Sequence, residues 1–207
     1  MGHVIGRFFI TLLLAALCNV VLAEDATDTG PAPNAGLHDI LNQLASRSFD
    51  DKEAAIRQLA GQDHPRVVPL LNALMNRDLV QHRDSGAILL GSKNSDGWQL
   101  LDPVSEEVQQ QVGSRDARPV VINNRLRTVI NNQLALRDLA SPDSEQRYQA
   151  AGQLIGNADP EMLSALAARR AKETVARVQD RIDVALNIAT LNGDDLAARL
   201  NAIEALA

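Results

Sequence analysis

The sequence predicts a mainly α fold: a short HEAT-like solenoid of stacked helix pairs, with a small β-hairpin or meander inserted in it. Two observations lead there. The stretch Asp50 to Arg77 has the pattern of two short amphipathic helices, and its Ala55, Leu59, Gly61 and Pro65 recur at a constant offset as Ala150, Leu154, Gly156 and Pro160. Composition points the same way. Apolar residues make up 45% of the 207 but aromatics only 2%, so the core must be built from Ala, Leu, Val and Ile, as closely stacked helices allow.

Residues 1–23, MGHVIGRFFITLLLAALCNVVLA, carry Arg7, an apolar run from Phe8 to Leu17 and the small-residue site Val21-Leu22-Ala23. That is the pattern of a secretory signal peptide cleaved after Ala23, and the run is too short to span a bilayer comfortably. Cys18 is the only cysteine, and Leu17 stands before it where lipoprotein processing wants a small residue. Cleavage after Ala23 leaves a chain without a thiol, which excludes disulfides, cysteine nucleophiles and zinc-thiolate sites. Residues 24–36 are acidic and rich in Pro, Gly and Thr, and read as a flexible linker.

Residues 37–77 hold an N-terminal helix and the first helix pair. Leu37, Ile40, Leu41 and Leu44 follow the i, i+3, i+4, i+7 rule of a helix covering the outer side of that pair. Asp50 and Glu53 form a capping box, after which Ala55, Ile56 and Leu59 share a face. Gly61 supplies a left-handed stop and Pro65 a first helical position. The second helix carries Val67, Val68, Leu71, Leu74 and Met75, too many apolar residues for one short helix to bury alone.

Residues 78–122 form a β-type insertion and loop. Short apolar runs at Leu79–His82, Ala87–Leu90 and Trp98–Leu101 are separated by turn compositions, whereas Gln109–Arg118 has no periodicity and reads as a mobile surface loop. Residues 123–207 return to helical spacing. Leu126, Val129, Ile130 and Leu134 define a helix to about Leu139. The repeated pair follows at 143–171, opened by Ser141-Pro142 and by Asp159-Pro160, with Met162, Leu163 and Leu166 as its second stripe. Val175, Val178, Ile182, Ala185, Leu186 and Ala189 mark another helix, stopped by Asn192-Gly193. A last one, capped by Asp194 or Asp195, has the stripe Leu196, Leu200, Ile203 and Leu206. It ends without a glycine cap or a polar terminal repeat, so the sequence reads as cut off at its C-terminus.

The formal charge is −6, from 20 basic and 26 acidic residues. Phosphate binding needs concentrated Lys and Arg, and single-strand binding wants aromatic platforms, so nucleic acid is not expected as a partner. His3, His38, His64 and His82 have no metal-ligand spacing, and His64, before Pro65, reads as a turn residue. No nucleophile elbow, Walker loop or dinucleotide fingerprint occurs. The acidic pairs Asp50-Asp51 and Asp194-Asp195 sit at helix starts, where carboxylates complement the dipole, and Glu106-Glu107 adjoins a polar loop. No catalytic residue, metal or cofactor is expected. Asn123, Asn124, Arg125 and Arg127 form the most distinctive polar cluster. They could pair with a carboxylate or backbone group of a partner, or cap a helix and tie down the end of the insertion. The strength of asparagine as an N-cap favours the second reading.

Taken as a whole, the order of blocks resembles a known family. A signal peptide, FDDKEAAIRQLA and HPRVVPLLNALM, a β-type insertion, VINNRLR, SPDSEQRYQAAGQLIGNADPEMLSAL and the ending NAIEALA are similar to the N-terminal extracytoplasmic extension of urea ABC transporter permease subunits. The resemblance covers nearly the whole chain, and Asn123–Arg127 in its place after the insertion is its most specific part. It implies a periplasmic, non-catalytic interaction domain of a urea uptake system. The implied partners are the permease subunits and the periplasmic binding protein. Family members continue into a membrane-embedded half, whereas this chain has no apolar stretch of transmembrane length after the leader, so no transport residue carries over. The alternative is a free-standing periplasmic scaffold unrelated to transport. An enzyme on similar helix pairs, as in the pigment lyases, would need a pocket with convergent polar or aromatic groups, which the scarcity of aromatics disfavours.

Overall fold

A computed structural model describes residues 33–207. The signal peptide, its cleavage site at Ala23, Cys18 and residues 24–32 of the linker lie outside the described residues. Three helices come first: α1 (Pro33–Gln43), α2 (Phe49–Ala60) and α3 (Val67–Asn76). Five strands follow: β1 (Leu79–His82), β2 (Ile88–Asn94), β3 (Gly97–Leu101), β4 (Val108–Val112) and β5 (Ala117–Pro119). The rest is helical: α4 (Asn124–Asp138), α5 (Ser144–Leu154), a 3-10 turn at Pro160–Met162, α6 (Leu163–Lys172), α7 (Ala176–Leu191) and α8 (Leu196–Leu206). None of the described helices is long and apolar enough to cross a membrane.

The helix boundaries follow local chemistry, with several shifts from the sequence reading. The N-cap of α2 is Ser48, whose side chain accepts from the Asp51 N–H at 3.3 Å; Asp50 and Asp51 lie in the first turn, where their charge suits the helix dipole. Asn123, Asp143 and Asp195 cap α4, α5 and α8 in the same way. Gly61 ends α2 without leaving the right-handed region (φ −75°). The left-handed stops are Arg77 after α3 (φ 71°) and Gly156 after α5 (φ 75°). Pro65 lies in the turn before α3, and α1 begins at Pro33, so residues 33–36 are helical instead of linker.

The expected solenoid with a small hairpin or meander does not describe this fold. The insertion is a five-stranded antiparallel sheet in the order β4-β3-β2-β1-β5, and the chain is a mixed, though mainly helical, α/β structure. The stretch read as a mobile loop supplies two of those strands. It escaped a periodicity reading for a physical reason: β4 is an edge strand exposed along most of its length, so it lacks apolar alternation. The three residues of β5 gain their order from pairing with β1 across the insertion, Val80 opposite Pro119 and His82 opposite Ala117.

The duplicated helix pair is not stacked as successive repeats either. Arg125 at the start of α4 meets the start of α2 (Asp50, Glu53), and Arg137 at its end meets the end of α2 (Ala60), so these two helices run the same way. A short turn then reverses the chain into α5, placing α4 between the two copies.

Three apolar clusters result. The first joins α1–α3, one face of the sheet (Leu79, Ile88) and the first half of α4 (Leu126, Val129, Ile130). The second joins the end of α4 (Ala135, Leu139) to α5, α6 and α7. A smaller one, Val80, Trp98, Leu100 and Ala117, covers the opposite face of the sheet. Gly91 leaves room for it: a Cβ there would stand 2.8 Å from both Val80 methyls and 3.0 Å from the Trp98 ring.

A buried ion pair fixes the α6–α7 corner. Arg147 of α5 donates from Nε and Nη2 to Glu173 at 2.7 and 3.0 Å, and the Thr174 and Val175 N–H groups donate to the same carboxylate at 2.9 Å. The Arg147 bonds outweigh burial and, with the two backbone donors, pull the Glu173 pKa from 4.5 down to about 2. A depressed carboxylate pKa stabilises the fold above its unfolded value, so this contribution is complete above pH 4.5 and fades as pH falls toward 2. Glu173→Ala, which leaves Arg147 unpaired, is expected to cost about 3 kcal/mol in guanidinium denaturation at pH 7. That cost should shrink in the same titration at pH 3; equal losses at both pH values would contradict the assignment. Gly97 (φ 140°) tests the β2–β3 turn. A Cβ there would strike the Val112 carbonyl oxygen, so Gly97→Ala is expected to lower the melting temperature and disturb the Trp98 environment seen by fluorescence.

Candidate functional site

The site grows out of α4. Asn123 opens that helix by accepting the Leu126 N–H at 2.9 Å, and Asn124 takes the first helical position, its carbonyl accepting from Thr128 Oγ1 at 3.2 Å. Arg127 points back to α3, donating from Nη1 to the Met75 carbonyl at 3.3 Å, where a cation complements the C-terminal end of the helix. Three of the four residues singled out in the sequence are thus occupied in holding α4. Only Arg125 reaches a concave surface. It donates from Nε to Glu53 at 2.7 Å and from Nη2 to Asp50 at 2.7 Å, with its side chain 58% exposed.

Glu53 does not stop at Arg125. Its other oxygen accepts from Arg57 one turn along α2, at 2.9 Å from Nη2, and Arg57 reaches on to Asp159 in the turn between α5 and the 3-10 segment at 2.8 Å. Glu161 stands 3.5 Å from the same guanidinium. Burial disfavours the charge on Arg57, but the hydrogen bonds it donates to Asp159 and Glu53 outweigh it and hold it above its ordinary pKa. Asp159 has a second task, accepting the Met162 N–H at 3.2 Å, so the same carboxylate that starts the 3-10 turn anchors it to α2. This chain of alternating charges runs along the wall of a groove of about 600 Å³.

Val129 and Asn132 form part of the groove's lining from α4. Asn132 is buried, at 4% exposure, because its Nδ2 donates to the Asn157 carbonyl at 2.6 Å, and it sits between the apolar stretches of α4 that serve the two helical cores. A neighbouring polar hollow shares Thr128, Asn132 and Asn157. The arrangement offers fixed charges of both signs along an open concavity. Its carboxylates are already engaged with arginines, and Asp159 also with a backbone N–H, so it suits recognition of a complementary charged surface better than proton transfer. Among the described residues, no group of three or more His, Cys, Asp or Glu could hold a metal ion.

Glu53, Arg57, Asn132, Asn157 and Asp159 were not identified as a site from sequence. The i, i+4 spacing of Glu53 and Arg57 was a signal for one ion pair. Nothing local joins Arg57 to Asp159, which is a product of the fold. His64, read as a turn residue, accepts the Arg66 N–H on Nδ1 at 3.1 Å in the turn before α3. Glu106 pairs with Arg66 at 2.6 Å.

A double-mutant cycle tests the groove's architecture. Arg57→Met and Asp159→Asn are expected to show a coupling of about 1 kcal/mol in guanidinium denaturation, because the pair is partly shielded and bridges elements far apart in the chain. Arg125→Ala, more exposed and so more screened by water, should cost less than either of these substitutions. Strict additivity of the first two substitutions would mean that the Arg57–Asp159 contact does not bind the elements together. No family model matches the chain, and neither the curated proteins nor the solved structures provide a match to it.

Proposed function

We propose that this chain is a non-catalytic protein-interaction domain on the periplasmic side of a urea ABC transporter permease, and that the groove between α2, α4 and the α5–α6 turn is its docking surface. The observation that carries the docking role is the Asp50–Arg125–Glu53–Arg57–Asp159 chain. It presents charges of both signs, fixed in advance by their mutual contacts, over a concavity of about 600 Å³. Pre-positioned charges lose little freedom on binding, and they select partners by complementarity more than by buried area. The transport context rests on the resemblance of the sequence blocks, above all Asn123–Arg127.

The partner that this reading names is the periplasmic urea-binding protein of the same system. The immobilised chain should retain it at tens of micromolar in low salt, more weakly as salt is raised, because exposed charges are screened. Arg125→Glu places a third acid beside Asp50 and Glu53 and is expected to weaken retention by about tenfold with unchanged circular dichroism. Absence of retention by the unaltered chain would defeat the proposal.

A further inference from the structure

The turn between α1 and α2, the start of α2 and strand β5 enclose a separate cavity of about 250 Å³. Its lining is divided by chemistry. Leu44, Phe49 and Val120 supply apolar surface, whereas Arg47, Lys52 and Arg118 supply three cationic groups.

Lys52 is the residue that ordinary packing does not explain. Lysine is among the side chains least often fully buried unless paired, yet Lys52 is only 6% exposed. Its Nζ donates to the Val121 carbonyl at 2.7 Å and lies 5.5 Å from the centre of the Phe49 ring, which leaves two of its three N–H donors without a protein acceptor. Among the described residues no carboxylate answers it. Asp51, the acid beside it in sequence, accepts from Ser46 Oγ at 2.7 Å. Arg118 is no better neutralised: Nε and Nη2 both donate to Gln81 Oε1, an uncharged acceptor, at 3.2 and 2.8 Å. Arg47 makes no ion pair or hydrogen bond among the described residues.

Three positive groups therefore line one small cavity that has no acid among its described lining residues, in a chain whose formal charge is −6. Burial, and then the charge of Arg118, push the Lys52 ammonium below its ordinary pKa. An anion in the cavity would relieve both effects. The size limits its identity, since pockets for drug-sized ligands start at about 300 Å³.

We propose that this cavity binds a small organic monocarboxylate, with the carboxylate between Lys52 Nζ and the Arg118 guanidinium and the carbon skeleton against Phe49 and Val120. Arginine offers a planar fork that matches carboxylate geometry, and lysine adds a point charge. The apolar side of the lining distinguishes the ligand from a bare inorganic anion. The site is independent of the groove between α2 and α4.

Isothermal calorimetry on the full chain tests this with benzoate, benzamide and inorganic phosphate as probes. Benzoate is expected to bind saturably with Kd below about 1 mM, and the neutral amide and phosphate at least about tenfold more weakly. Lys52→Met and Arg118→Gln should each weaken benzoate by about tenfold or more. Arg118 is exposed on its strand, so Arg118→Gln decides the matter should Lys52→Met fail to fold by circular dichroism. The proposal is overturned by absent saturation up to about 20 mM benzoate, by equal binding of benzamide or phosphate, or by unchanged affinity in the folded Arg118→Gln protein.

Discussion

The structure depends on one helix serving two cores. Along α4, Leu126, Val129 and Ile130 face the cluster formed by the first three helices and the sheet, whereas Ala135 and the following Leu139 face the cluster formed by the later helices. A single apolar stripe cannot do both, so the buried face must change neighbours partway along, and at that point the packing has a seam. Polar groups fill it. Asn132 is held to the Asn157 carbonyl, and Arg137 donates to the Ala60 and Gln62 carbonyls at 2.8 and 3.2 Å, closing the end of α2. A buried polar group such as Asn132 and a half-buried one such as Arg137 are tolerable because their partners are in place, and the cost of removing a partner keeps the register of the two halves fixed.

The charged groove lies along this seam, which explains both its polarity and its rigidity. Each charge is tied to another secondary-structure element: Arg125 of α4 to α2, and Arg57 of α2 to the turn after α5. A partner pressing on the groove would therefore contact elements that serve both cores at once. That is a physical basis for recognition by the assembled fold and not by any one helix.

Much of the helical punctuation was legible because it is local. Asn123 at the start of α4 and Asp195 at the start of α8 cap their helices through groups two or three residues away, within the reach of a sequence pattern, whereas the cap of α5 is Asp143 and not the Ser141-Pro142 pair read as its opening. The sheet was only half legible. The apolar runs in β1 and β3 are visible because β1 is covered on both faces, Leu79 by one cluster and Val80 by another, and β3 sets Trp98 and Leu100 on one face, but Val108-Gln109-Gln110-Gln111 is exposed throughout, and β5 owes its conformation to β1. The repeat was visible as a pattern and misleading as architecture. Equal spacing of Ala, Leu, Gly and Pro says that two segments form similar helix pairs, not that they are neighbours. The groove was least legible, since Arg57 and Asp159 meet only after α5 has folded back, and a buried lysine such as Lys52 looks in sequence like any charge on a helix.

The small cluster on the far side of the sheet has a practical corollary. Trp98, the sole tryptophan, sits there with Val80, Leu100 and Ala117, away from both helical cores. Its emission therefore registers the condition of the strands, whereas far-ultraviolet dichroism is dominated by the helices. In this chain the two optical signals are anatomically separated, and any lag between them on heating would be a direct readout of whether sheet and helices melt as one cooperative unit.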